Sequence, residues 1–267
     1  MSGIITAVVF VLIIGLLAGI ILSGASKVFF VQEDQLFLDL REKLPGANCG
    51  GCGYAGCDDY AHAIAENPDV PCNKCSVGGP DVAKQLADIK GVEDVAADRK
   101  VSLVACDGKN ENIEKFYEYE GIDSCRAKKT LYGGDGSCPY GCIGLGDCVK
   151  ACDFDAIKVV DGVAIVDRDK CTACGKCVAA CPNKLISITS EKNLVTVMCS
   201  NKSFGKDASA VCKVSCIGCG ICEKTCKFDA IHVENNLAVI DYDKCKNCGA
   251  CALKCPRHCI INRRTAK

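Results

Sequence analysis

The chain has no tryptophan, and aromatic residues make up only 6% of its 267 positions. Its folded units therefore lack the bulky side chains that usually dominate a small hydrophobic core. Histidine is scarce, at 3 residues, so imidazole acid–base or metal chemistry has little to draw on. Neither sign of charge prevails: 32 Lys and Arg oppose 33 Asp and Glu, for a net charge of −1. That balance argues against nucleic acid as a partner, although Arg257, His258, Arg263, Arg264 and Lys267 form a locally basic tail. The tail reads as a solvated end or, alternatively, as a dock for an acidic partner.

What the chain has instead is cysteine, 26 residues in 267. Such density signals disulfides in short secreted chains, but this chain is long and its thiols are grouped as metal ligands. The grouping repeats with an offset of 74 residues. Cys152-Asp-Phe-Asp-Ala-Ile followed by Cys171-x2-Cys174-x2-Cys177-x3-Cys181-Pro182 reappears as Cys226-Lys-Phe-Asp-Ala-Ile followed by Cys245-x2-Cys248-x2-Cys251-x3-Cys255-Pro256. Three thiols in one tight loop suit a [4Fe–4S] cubane, and in two-cluster ferredoxins the Cys before Pro ligates the other cluster. Structural zinc is the competing reading, but zinc sites usually draw on two Cys-x2-Cys pairs. With so few aromatic side chains, cluster ligation is expected to supply much of the folding free energy of these small units.

The crossover predicts four ligand sets. Cys171, Cys174 and Cys177 pair with Cys152, and Cys245, Cys248 and Cys251 with Cys226. Cys216, Cys219 and Cys222 pair with Cys255, and Cys138, Cys142 and Cys148 with Cys181. In the last set Leu145 stands where the second copy has Cys219, and Cys138 is the nearest replacement.

Ile4 to Leu22 is a run of nineteen residues without a charge, close to the roughly 20 that cross a bilayer. It reads as one transmembrane helix; a cleaved signal peptide is the competitor, but the run lacks a basic leading segment. Lys27 follows it, so the positive-inside tendency places the body on the cytoplasmic side of the cell membrane. No ionisable residue lies within the run, so if the protein serves a pump, the ion path belongs to other subunits. Leu36, Phe37, Leu40 and Leu44 then predict an amphipathic helix over Glu33 to Leu44, ended by Pro45. Cys49, Cys52 and Cys57 follow among glycines, a short helix is expected from Asp58 to Glu66, and the fourth thiol is Cys75 or, three residues earlier, Cys72. Val82, Leu86 and Ile89 predict a further helix between Pro80 and Gly91.

The expected class is α+β, with an anchor over 1–26, a small helical four-Cys domain over 27–91, a connecting region over 92–137, and ferredoxin-like two-cluster modules over 138–190 and 191–267. Val101 to Ala105 reads as a strand, and Asp161-Gly162 and Asn235-Asn236 as the turns of β-hairpins. His232 reads as a solvent-facing strand residue. The 74-residue offset maps Cys125 onto Cys199 and Cys138 onto Cys212. Cys106, Cys125, Cys199 and Cys212 are thus candidates for a sixth cluster beyond the five others, with free buried thiols the alternative. Cys72 and Cys259 read as small core residues or unpaired thiols.

The order of parts, with Leu44-Pro45-Gly46-Ala47-Asn48-Cys49-Gly-Gly-Cys52-Gly-Tyr-Ala-Gly-Cys57 directly behind an apolar span, resembles the RnfB family, the polyferredoxin subunits of Rnf electron-transport complexes. The resemblance covers nearly the whole chain. It implies a subunit that accepts electrons from soluble reduced ferredoxin and relays them to other membrane subunits of a ferredoxin:NAD oxidoreductase coupled to Na+ or H+ export. Carried over by position, Cys49, Cys52, Cys57 and Cys75 match the four-Cys domain and the sixteen ferredoxin cysteines the tandem units. NAD reduction is expected on another subunit, and no catalytic acid, base or nucleophile is expected here. The alternative is a polyferredoxin serving another membrane oxidoreductase, such as a hydrogenase or formate-oxidising complex.

Overall fold

The computed structural model describes residues 2–28, 34–92 and 98–265; Glu33 and Lys267 lie outside them. The first element, α1 (Ser2–Val28), is a 27-residue helix. At 1.5 Å per residue it is about 40 Å long, enough to cross a hydrocarbon layer of about 30 Å. None of Val8–Ala25 is buried against the rest of the chain.

Three helices follow: α2 (Gln35–Lys43), α3 (Cys57–Glu66) and α4 (Gly79–Lys90). Asp34 caps α2 by accepting the Leu36 amide at 3.2 Å. Pro80 sits in the first turn of α4, and Gly91 ends it with a left-handed φ of 70°. Their apolar faces meet in one core containing Phe37, Leu40, Leu44, Tyr60, Ile64, Cys72 and Leu86. The Tyr60 hydroxyl donates to the Pro71 carbonyl at 2.8 Å and accepts the Lys74 amide at 3.2 Å. Tyr60 therefore ties this core to the loop that carries Cys75. His62 stacks on Phe37 with ring centroids 3.8 Å apart, a packing role.

The remainder builds two similar modules. The first contains β1 (Lys100–Val104), α5 (Cys125–Lys129), α6 (Asp147–Lys150), β2 (Ile157–Val160), β3 (Val163–Val166), α7 (Lys176–Ala180) and β4 (Ile186–Ser190). The second contains β5 (Val195–Val197), α8 (Gly205–Val211), α9 (Ile221–Thr225), β6 (Ile231–Glu234), β7 (Leu237–Ile240), α10 (Ala250–Lys254) and β8 (Ile260–Asn262). Each has an antiparallel hairpin, β2–β3 or β6–β7. The hairpin turns use Asp161 and Gly162 at φ 51° and 83°, and Asn235 and Asn236 at φ 49° and 63°, the left-handed backbone that tight hairpins require. His232 on β6 is hydrogen-bonded to Glu223 at 3.2 Å.

Each module is closed by a second strand pair, β1–β4 or β5–β8. Strand β1 comes from the segment expected to be a connector, yet it pairs with β4 along all five of its residues. The pairing fixes the structural correspondence between copies: Val104 lies opposite Ile186, and Val197 opposite Ile260. Cys106 and Cys199 therefore correspond, each two residues past its strand. Cys106 and Cys138 are 32 residues apart and Cys199 and Cys212 only 13, so the first copy carries an insertion, and Cys125 lies in it.

The insertion is pinned by Lys128 of α5, which is 4% exposed and pairs at 2.7 Å with Asp135, 5% exposed. Asp147, the first residue of α6, accepts the Ser124 hydroxyl at 2.9 Å and the Arg126 amide at 3.1 Å. Burial opposes its charge, but these amide and hydroxyl bonds with Lys150 outweigh that and hold the carboxyl below the usual range.

Replacing the fully buried Leu86 by Ala should destabilise the helical unit by about 2–5 kcal/mol in denaturant titration. Asp135→Ala, which leaves Lys128 buried without its partner, should cost about 3–5 kcal/mol. Replacing both Lys128 and Asp135 by apolar residues should cost less than Asp135→Ala alone.

Candidate iron-sulfur centres

Six groups of four cysteines emerge from the described residues. Site I brings together Cys49, Cys52, Cys57 and Cys75. Burial pushes the Cys75 thiol up, the Gly78 amide at 3.3 Å opposes it, and neighbouring Cys57, Cys52 and Cys49 add to the rise. Cys72 lies in the helical core, where burial raises its thiol and the nearby charge is Lys90. The Asn48 side chain accepts the Cys57 amide at 2.8 Å, seating the first residue of α3 at the site. Gly51 to Gly56 has the letter spacing of a dinucleotide-binding turn, but it follows α2 and a loop instead of a strand, and it carries Cys52.

Site II gathers Cys152, Cys171, Cys174 and Cys177; burial raises Cys177 against a hydrogen bond from Ser102, and the other three thiols add to the rise. Site VI, its counterpart, gathers Cys226, Cys245, Cys248 and Cys251 around one pocket. Burial first, with the neighbouring thiols, pushes Cys251 up to about 11. Site V gathers Cys216, Cys219, Cys222 and Cys255 around another.

The remaining thiols group differently from the sequence expectation. Site III is Cys125, Cys142, Cys148 and Cys181, which line one pocket. Site IV is Cys106, Cys138, Cys199 and Cys212, which line another. Cys125, not Cys138, lies with Cys142, Cys148 and Cys181. The physical reason is the insertion: α5 delivers Cys125 beside α6 through Asp147, while Cys138 keeps its correspondence with Cys212. Burial above all pushes Cys148 up to about 12, with Cys142, Cys125 and Cys181 contributing. Cys138 rises to about 11, from burial and from Cys212 and Cys199.

Several sulfurs accept amides, as cluster ligands do. In site IV, Cys106 accepts the amides of Gly108 and Cys142 at 3.4 Å, and Cys199 those of Asn201 at 3.5 Å and Cys216 at 3.3 Å. The Cys142 and Cys216 amides belong to sites III and V, so site IV is hydrogen-bonded to both modules. At the other end, a Cβ on Gly51 would come within 3.3 Å of the Cys174 backbone, which places sites I and II in contact. Sites II and III share helices α6 and α7, and sites V and VI share α9 and α10. The quartets thus adjoin one another in the order I to VI.

These surroundings fit cubane clusters better than single ions. The donor sets are cysteine alone, and several of their sulfurs accept backbone amides, the surroundings of a [4Fe–4S] core. The raised thiol pKa values reflect burial first and, after it, crowded prospective negative charge, which an iron core would neutralise on binding. Cys259 is the exception among the surplus thiols. It occupies the core position that corresponds to Leu185 and is 1% exposed, with its sulfur 3.5 Å from that of Cys255. Its hydrogen bonds to Cys216 and Cys255 lower those thiols to about 6 and about 5, and hold Cys259 itself protonated.

Three family models match the chain: one described as "Putative Fe-S cluster" over residues 44–77, a 4Fe-4S dicluster domain over 140–186, and a 4Fe-4S binding domain over 215–232 and 238–261. The chain is 45% identical over 249 residues to the B subunit of the Na(+)-translocating ferredoxin:NAD(+) oxidoreductase complex of Acetobacterium woodii, covering 93% of this chain and 74% of that protein. It is 42% identical over 248 residues to the B subunit of the ion-translocating oxidoreductase complex of Methanosarcina acetivorans, covering 92% and 94%. It is 41% identical over 263 residues to the B subunit of the proton-translocating ferredoxin:NAD(+) oxidoreductase complex of Clostridium ljungdahlii, covering 97% and 93%. With its thiols gathered in adjoining quartets and this likeness running along nearly its whole length, the chain belongs to the RnfB family of ion-translocating oxidoreductase complexes.

Proposed function

We propose that this subunit is a six-cluster electron relay in an ion-translocating ferredoxin:NAD oxidoreductase. Soluble reduced ferredoxin is the donor, and other membrane subunits, which hold the NAD site and the ion path, receive the electrons. The observation that carries this reading is the continuous order of the quartets, in which sulfurs or backbone of one site touch the next. The thiols of sites I to VI would each hold a [4Fe–4S] cluster, which supplies one-electron redox chemistry when bound. The chain's own part is to space the clusters, keep most sulfurs out of water and aim amides at them. Cys219 and Cys248 are exposed, so sites V and VI open to solvent at the end of the series farthest from the four-Cys unit. That end suits entry of electrons from a soluble carrier, and the basic Arg257, Arg263 and Arg264 lie on the same closing segment.

Helix α1 serves as a single-pass anchor in the lipid of the cytoplasmic membrane, with the cluster-bearing body on the cytoplasmic side. Its apolar run carries no charge, so it contributes attachment and not ion passage. Na+ and H+ are both compatible with such a subunit.

The ligand groups are tested by serine substitution in protein purified without oxygen. Cys125→Ser and Cys181→Ser should perturb the same [4Fe–4S] signal, each with loss of up to about four irons per chain, while Cys138→Ser and Cys199→Ser should perturb a different one. A shared signal for Cys138 and Cys181 would restore the grouping expected from spacing alone. Reduced ferredoxin should bleach the visible absorbance of the wild-type chain, with a rate that falls as salt rises. No bleaching, alongside full iron content, would point to another membrane oxidoreductase as the physiological setting.

A further inference from the structure

Sites II and VI have the same ligand pattern, so differences between them must come from groups around the sulfurs. Each receives an equivalent local amide: Ala173 to Cys171 and Asn247 to Cys245, both at 3.5 Å. They differ in the strand laid over them, and in site VI the Ala230 amide also donates to Cys226 Sγ at 3.4 Å. The registers of β1 on β4 and β5 on β8 place Ser102 where the other module has Val195.

Ser102 is 4% exposed. Its amide donates to Cys171 Sγ at 3.3 Å, and its hydroxyl lies 3.3 Å from Cys177 Sγ. With both cysteines ligated to iron as thiolates, neither sulfur keeps a proton, and the hydroxyl is the only donor in that pair. Val195 brings no hydroxyl, and its amide is taken by the Asn247 side chain at 3.2 Å. Asn247 occupies the position of Ala173, which has no such acceptor. One strand residue and one loop residue thus direct two donors to the sulfurs in site II and remove both in site VI.

A donor on a ligand sulfur stabilises the reduced, more negative cluster more than the oxidised one, and burial strengthens the effect. We propose that Ser102 is a positioning residue that acts through Cys171 and Cys177 to raise the potential of site II above the value the same ligand set has under a valine. This rests on the relay reading of the ligands. It makes the arrival of an electron at site II, the site next to Gly51, more favourable.

The test is a potentiometric titration of the full chain, followed by paramagnetic resonance, with iron counted in every sample. Ser102→Ala should lower the midpoint of one reduction step and leave the others in place. The shift should reach up to roughly tenfold in the reduced-to-oxidised ratio at fixed potential, where tenfold is about 59 mV for one electron. Ser102→Thr, which keeps the hydroxyl, should restore the step. Val195→Ser should move a different step upward. Unchanged midpoints in Ser102→Ala with full iron content would overturn the proposal, as would a shift that Ser102→Thr fails to reverse. Absence of [4Fe–4S] signals from the wild-type chain would instead overturn the ligand reading beneath it.

Discussion

Convergence of four sulfurs from separated segments is the constraint around which the rest of the structure is arranged. A tight Cys-x2-Cys-x2-Cys loop brings three together locally, but the fourth must be carried in by another element. In the two modules that element is a short helix running from one quartet to its neighbour, so a single helix serves two sites. The modules have little else to hold them: their buried clusters are small groups of Val, Ile, Leu and Ala mixed with the thiols themselves. The helical unit differs, since Leu40, Tyr60, Ile64 and Leu86 give it an apolar core of its own. Loss of metal should therefore be felt most in the modules.

Site IV shows how a duplicated module becomes a continuous path. Its thiols come as two corresponding pairs, Cys106 with Cys199 and Cys138 with Cys212, one member from each copy. Two of the amides its sulfurs accept come from cysteines of the adjoining sites, Cys142 and Cys216. A centre placed there would close the gap between two ferredoxin-like units that otherwise carry separate pairs. The insertion brings Cys125 to Cys142, Cys148 and Cys181, and the buried Lys128–Asp135 pair with Asp147 holds it in place.

Much of this was legible in the sequence. The Cys-x2-Cys-x2-Cys runs are local and need no tertiary knowledge, and Asp161-Gly162 and Pro80 with Gly91 mark a hairpin and a helix through backbone geometry alone. The exchange of Cys125 and Cys138 was not legible, because a constant offset of 74 assumes copies of equal length. The strand register shows instead that Cys106 corresponds to Cys199, and only tertiary pairing of β1 with β4 reveals it. The role of Ser102 was hidden for the same reason: nothing local distinguishes a serine facing solvent from one facing a sulfur 69 residues away.

The most direct test of the account is iron and zinc content, with reduced-state electron paramagnetic resonance, on full-length protein purified without oxygen. Six [4Fe–4S] sites predict about 24 irons per chain, no zinc, and signals broadened by interaction between neighbouring clusters. Stoichiometric zinc without iron would contradict the relay, and a firm value of about 20 irons would remove one of the six sites.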